Sequence, residues 1–157
     1  MGQQQLLLVI LVVILVGIAT VVAMNVFGGA AEDANRDAVR QDILQGATMA
    51  QAIYARPVMM DGAGGDFSNF SEADLLQRLG MPIVSGHNNC DDVTGTFGNE
   101  NGCYSIGDLN DDSFDIIGVP ASGGANIVAT ILYSDGEGTD GPDEGWHITW
   151  SDASVND

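Results

Sequence analysis

Leu6 to Met24 is a run of 19 residues in which only Gly17 and Thr20 are less than apolar. As a helix it spans roughly 28 Å, close to the hydrocarbon thickness of a bilayer. It has no polar face, and a helix that is apolar all round is buried in lipid or among other helices. Three amides, Gln3, Gln4 and Gln5, precede it, and no charged side chain appears before Glu32. A cleaved secretory signal carries a positive n-region and a small-residue cleavage site. An ordinary anchor carries lysine or arginine on its cytoplasmic flank. Neither is present. The reading that accounts for both absences takes Met1 as the first residue of a processed chain, after removal of a basic leader.

The 157-residue chain has a net charge of -18, from 22 acids against Arg36, Arg40, Arg56 and Arg78, with no lysine. Such a chain repels phosphate backbones, which argues against direct nucleic-acid binding. It also repels anionic lipid headgroups. Every charged side chain lies between residues 32 and 157. The sharpest boundary in composition therefore falls near Gly28-Gly29, a natural place for a bend or local melting. The organisation expected is an apolar helix over 1–27, an amphipathic continuation over 28–56, and an acidic globular head over 57–157.

In the continuation, Ala38, Val39, Ile43, Ala47, Ala50 and Tyr54 recur at a spacing of three to four. Glu32, Asp33, Arg36, Asp37, Arg40 and Asp42 fill the other side. Pro57 ends the pattern, because proline disfavours helix at the residue before it. One helix from about Gln3 to Ala55, roughly 80 Å long, is expected. In the head, VMMDGAGGDFSNFSE reads as a loop and SEADLLQRLG as a short helix, with Ser71 as N-cap and Gly80 as stop. GHNNCDDVTGTFGNENGC reads as another loop. CYSIG, SFDIIGV, ANIVATILYS and GWHITWS read as four strands separated by turns. The fold class is α+β: a long N-terminal α-helix carrying a small antiparallel β-sheet head on its second half. The apolar sheet face is expected to cover Ile43, Ala47, Ala50 and Tyr54.

The stretch ANRDAVRQDILQGATMAQAIYARP, after an apolar N-terminal helix, resembles the second half of a bacterial type IV pilin or pseudopilin helix. GQQQLLLVILVVILVGIA, with ANRDAV and MAQAIYARP, is similar to pilin-like proteins with a QQQL start. The resemblance covers residues 1–57. It implies a non-enzymatic structural subunit that polymerises into an extracellular filament, its apolar helix forming the core. The implied partners are other copies of the chain, the inner membrane before assembly, a leader peptidase and the pilus assembly machinery. Two rivals stand beside this reading: a pseudopilin of a type II-like secretion system, and a membrane-anchored calcium- or ligand-binding module that does not polymerise. An archaeal pilin would have a purely β head, against which the SEADLLQRLG helix counts.

One departure from the family is clear. Most type IV pilins carry glutamate as the fifth residue of the processed chain, where its carboxylate pairs with a neighbour's N-terminal amine. Here that residue is Gln5. An amide still accepts a hydrogen bond from an ammonium, without the ion pair, and is cheaper to bury than an isolated carboxylate. Met1, Gln3, Gln4 and Gln5 are therefore the candidate assembly residues. On one reading the amides satisfy N-terminal amines and first-turn N–H groups inside a filament; on the other they sit at the membrane surface.

Cys90 and Cys103 lie in a Gly/Asn/Asp-rich stretch. In an exported protein such a pair forms a disulfide closing a short loop, worth about 3 kcal/mol; the alternative is two free thiols. Asp135, Glu137, Asp140, Asp143 and Glu144 crowd the turn-rich segment DGEGTDGPDEG. Oxygen ligands on flexible backbone suit calcium, and the alternative is a solvated acidic hairpin loop. NDDSFD is a weaker case of the same kind. His87 and His147 lack the spaced partners of a zinc site. No nucleophile constellation or phosphate-binding glycine loop is legible, so no catalytic residue and no organic cofactor are expected.

Overall fold

The computed structural model describes residues 2–81, 97–136 and 143–153. The chain divides into two compact units, residues 1–34 and 35–157. The first helix, α1 (Gly2–Tyr54), supplies the described part of the first unit and enters the second.

In the first unit every residue from Gly2 to Ala34 is helical, Gly28 and Gly29 included. Local melting at the glycine pair does not occur. Each glycine costs about 1 kcal/mol relative to alanine, but its N–H and C=O remain, so the hydrogen-bond ladder continues. Thr20 Oγ1 donates to the Val16 carbonyl at 2.8 Å. The segment's hydroxyl is thus satisfied by its own helix, without an outside partner.

In the second unit, α1 buries Val39, Ile43, Gly46, Ala47, Ala50 and Ile53, one stripe of the helix. After Pro57 come two 3₁₀ turns, Val58–Met60 and Phe67–Asn69, and then α2 (Glu72–Arg78). Ser71 Oγ accepts from the Asp74 N–H at 3.2 Å and donates to Asp74 Oδ2 at 2.7 Å, capping α2. Gly80, at φ +72°, takes the chain out of α2 in the left-handed conformation that glycine adopts without steric cost.

Five strands follow: β1 (Phe97–Gly98), β2 (Gly102–Gly107), β3 (Ser113–Pro120), β4 (Asn126–Ser134) and β5 (Gly145–Ala153). They form one sheet in chain order, antiparallel throughout. Burial alternates along β3 and the first part of β4, the period-2 signature of a sheet with one covered face. The register places Tyr104 opposite Gly118, Ile106 opposite Ile116, Phe114 opposite Ile131 and Ile116 opposite Ala129. With the α1 stripe and Leu75, Leu76 and Leu79 these form one continuous core. Gly118 lets helix and sheet meet: a Cβ there would stand 2.6 Å from Val39 Cγ1 and 3.1 Å from Ile43 Cδ1.

The sheet has one strand more than the four expected. β1 is two residues inside a stretch that reads as loop, and two residues carry no periodicity. The first expected loop also contributes to the core, since Ala63 and Phe67 are fully buried.

Candidate functional site

The apolar segment is the first candidate. No side chain from Gly2 to Ala34 is buried, and the large apolar side chains between Leu6 and Phe27 are 49–74% exposed. By length and composition α1 can cross a membrane, and the segment is compatible with membrane anchoring. Gln3, Gln4 and Gln5 are exposed in its first turns; Met1 lies outside the described residues.

The second candidate is the aromatic end of the core. Tyr54 sits 5.0 Å from Phe67, 5.0 Å from Tyr133 and 5.3 Å from Trp146, measured between ring centroids. Its hydroxyl donates to Asp112 Oδ1 at 2.7 Å. Burial, together with this hydrogen bond and the carboxylate charge, pushes the phenol well above its ordinary range. Asp112 belongs to NDDSFD, read above as a weak cation candidate, and here it anchors Tyr54. Beside the cluster an open groove of about 660 Å³ is lined by Tyr54, Pro57, Val58, Tyr133 and Trp146, among others, with no charged residue among the described ones. Met59 and Met60, which follow Val58 in its 3₁₀ turn, are exposed, Met59 to 99%.

The third feature is polar and lies on the α1 side that reads as solvated. Asp42 Oδ2 accepts from Asn99 Nδ2 at 2.7 Å, Asn101 Nδ2 at 2.9 Å and the Tyr104 hydroxyl at 2.6 Å. Burial works to raise the Asp42 pKa, but hydrogen bonds from Asn101, Tyr104 and Asn99 hold it below the ordinary carboxylate value. Asn35 extends the network. Its Nδ2 donates to the Asn101 carbonyl at 2.9 Å, and its Oδ1 accepts from Ser122 N–H and Oγ. Two residues of α1 thus hold the two turns at the ends of β2 and β3. The sequence signal was available only in part: Asp42 and Asn35 stand on the flank of the apolar stripe, but their partners come from turns more than 55 residues away.

The residues expected to bind or cross-link are only partly described. Glu137, Asp140 and Cys90 lie outside the described residues. Asp135 and Asp143 flank the undescribed part of their loop, with Glu144 next to Asp143. Among the described residues no group of three or more His, Cys, Asp or Glu is placed to hold a metal. Cys103 is disulfide-bonded and nearly buried. His147 lies in β5, its Nε2 2.6 Å from the Asp143 carbonyl oxygen, where the Nε2-protonated tautomer donates. Asn69 spends its amide on the carbonyls of Ala63 and Asp66.

The architecture is that of a long apolar N-terminal helix joined to a small antiparallel sheet. Comparison with protein-family models, with curated proteins and with solved structures finds no match to the chain.

Proposed function

We propose that this chain is the structural subunit of an extracellular type IV pilus-like filament, and that its activity is polymerisation. One observation carries the reading. The second unit closes its own core, whereas the first is apolar on every side and buries nothing. Such a helix needs neighbours from outside the chain. The inner membrane supplies them before assembly; other copies of the chain supply them in the filament. Transfer from lipid to filament gains little from apolarity, since lipid is equally apolar, so helix packing and polar contacts decide it. Gln3, Gln4 and Gln5 are the side chains in the first turns that can make such contacts. Extraction from the membrane needs assembly machinery, because the apolar helix alone favours staying there.

The test is electron cryomicroscopy of sheared cell-surface material, with the filament protein identified by mass spectrometry. Long filaments built from this chain are expected. Short filaments held in the periplasm would point to the secretion-system relative instead. A chain found only as a detergent-soluble monomer in the membrane fraction would overturn polymerisation.

A further inference from the structure

The chain holds one Asn-Gly pair, Asn101-Gly102, at the turn into β2. The fold forces the glycine. A Cβ at position 102 would lie 2.3 Å from the Val119 carbonyl oxygen, which is backbone and cannot move aside. Glycine after asparagine is also the pairing in which the next backbone nitrogen reaches the side-chain amide with least hindrance, since no side chain stands in the way.

The attacking nitrogen and the leaving amide are both held in hydrogen bonds. Asn101 Nδ2 donates to Asp42 Oδ2 at 2.9 Å, and the Asn101 backbone carbonyl accepts from Asn35 Nδ2 and the Ala121 N–H. The Asn101 and Gly102 N–H groups both donate to Asn99 Oδ1, at 2.9 and 3.2 Å. We propose that Asn101-Gly102 is a latent deamidation site, held closed by Asp42 and Asn99. Opening it requires the Gly102 nitrogen to lose its proton and attack Asn101 Cγ. The Cγ–Nδ2 bond breaks, ammonia leaves, and the succinimide takes up one water to give aspartate or isoaspartate. Water is the sole co-reactant. Aspartate sets a new carboxylate against Asp42, where an amide donor stood, and isoaspartate instead carries the chain through the side-chain carbonyl and frees the α-carboxylate at the turn. The modification thus turns the group that holds the turn into one that repels it, and it is irreversible.

The experiment incubates the full chain in detergent at mildly alkaline pH, without reductant, and follows Asn101 by peptide mass spectrometry with isoaspartate detection. In the folded chain, conversion is expected to run roughly tenfold or more slower than in the same chain in urea, the factor that one such hydrogen bond supplies. Asn99→Ala, which frees the Gly102 N–H, is expected to recover most of that factor in the folded state and to match the parent in urea. Equal rates in folded and unfolded parent chain would overturn the proposal, and that comparison needs no variant to fold. Asn101→Asp is expected to lower the Tm at neutral pH, with recovery as the carboxylates protonate. An unchanged Tm would overturn the consequence assigned to the modification.

Discussion

Two stretches of the same helix behave in opposite ways. Between Leu6 and Phe27 the large apolar side chains are 49–74% exposed, while Val39, Ile43, Ala47 and Ala50 are 0–1% exposed. Both stretches are apolar enough to drive burial; they differ in pattern. The second concentrates its apolar residues in a stripe, and one sheet face covers a stripe. The first is apolar at every position, and no single surface covers all sides of a helix. Periodicity therefore decides whether a helix's burial is completed within its chain or by neighbours from outside it.

The strongest way to break this comparison is to delete residues 2–27. Membrane partition and assembly are expected to vanish completely, while the remaining chain keeps a cooperative unfolding transition with an unchanged midpoint. Loss of that transition would mean the two regions are a single folding unit. A finer version uses one substitution in each region. Phe114→Ala, at a fully buried position, is expected to cost about 4 kcal/mol in urea unfolding followed by tryptophan fluorescence. Leu11→Ala, 57% exposed, is expected to leave that transition within about 0.5 kcal/mol of the parent.

What was legible in the sequence follows the same division. α1, α2 with its Ser71 cap, and β2 to β5 all carry a period or a cap, and each falls where its pattern places it. β1 and the buried Phe67 do not, because two residues make no period and an aromatic in the polar, glycine-led run GGDFSN looks like loop. The apolar segment was evident from composition alone. The Asp42 network was not, since a carboxylate flanking an apolar stripe reads as solvated until its distant partners are known. That error concerns a single side of α1 and can be tested by itself. Asp42→Ala leaves Asn99, Asn101 and Tyr104 without their shared acceptor. The expected cost at neutral pH is about 2 kcal/mol, because the carboxylate is half-exposed and water partly replaces it. The sign with pH is fixed by the lowered pKa. The stability that Asp42 contributes is fully present above its ordinary value of 3.8 and is lost as pH falls through its lower folded value. The gap between parent and Asp42→Ala is therefore expected to narrow in acid, and a gap independent of pH would sink the assignment.

The smallest effects sharpen the comparison most, because one chemical change has opposite signs in the two regions. At Gly118 an added methyl meets Val39 at 2.6 Å and Ile43 at 3.1 Å, so Gly118→Ala is expected to destabilise the second unit by about 1.5 kcal/mol through overpacking. At Gly28 an added methyl meets nothing within 4 Å. There the change removes only glycine's extra conformational entropy, and Gly28→Ala is expected to stabilise the helix by about 1 kcal/mol. Amide hydrogen exchange in detergent reads both: slower exchange across residues 24–32 for Gly28→Ala, faster exchange in β3 for Gly118→Ala. If Gly28→Ala also slows or stops filament growth while protecting the helix, then the open space around Gly28 in the isolated chain is occupied in the assembly. The first region would then be packed as closely by its neighbours as the second is by its own sheet.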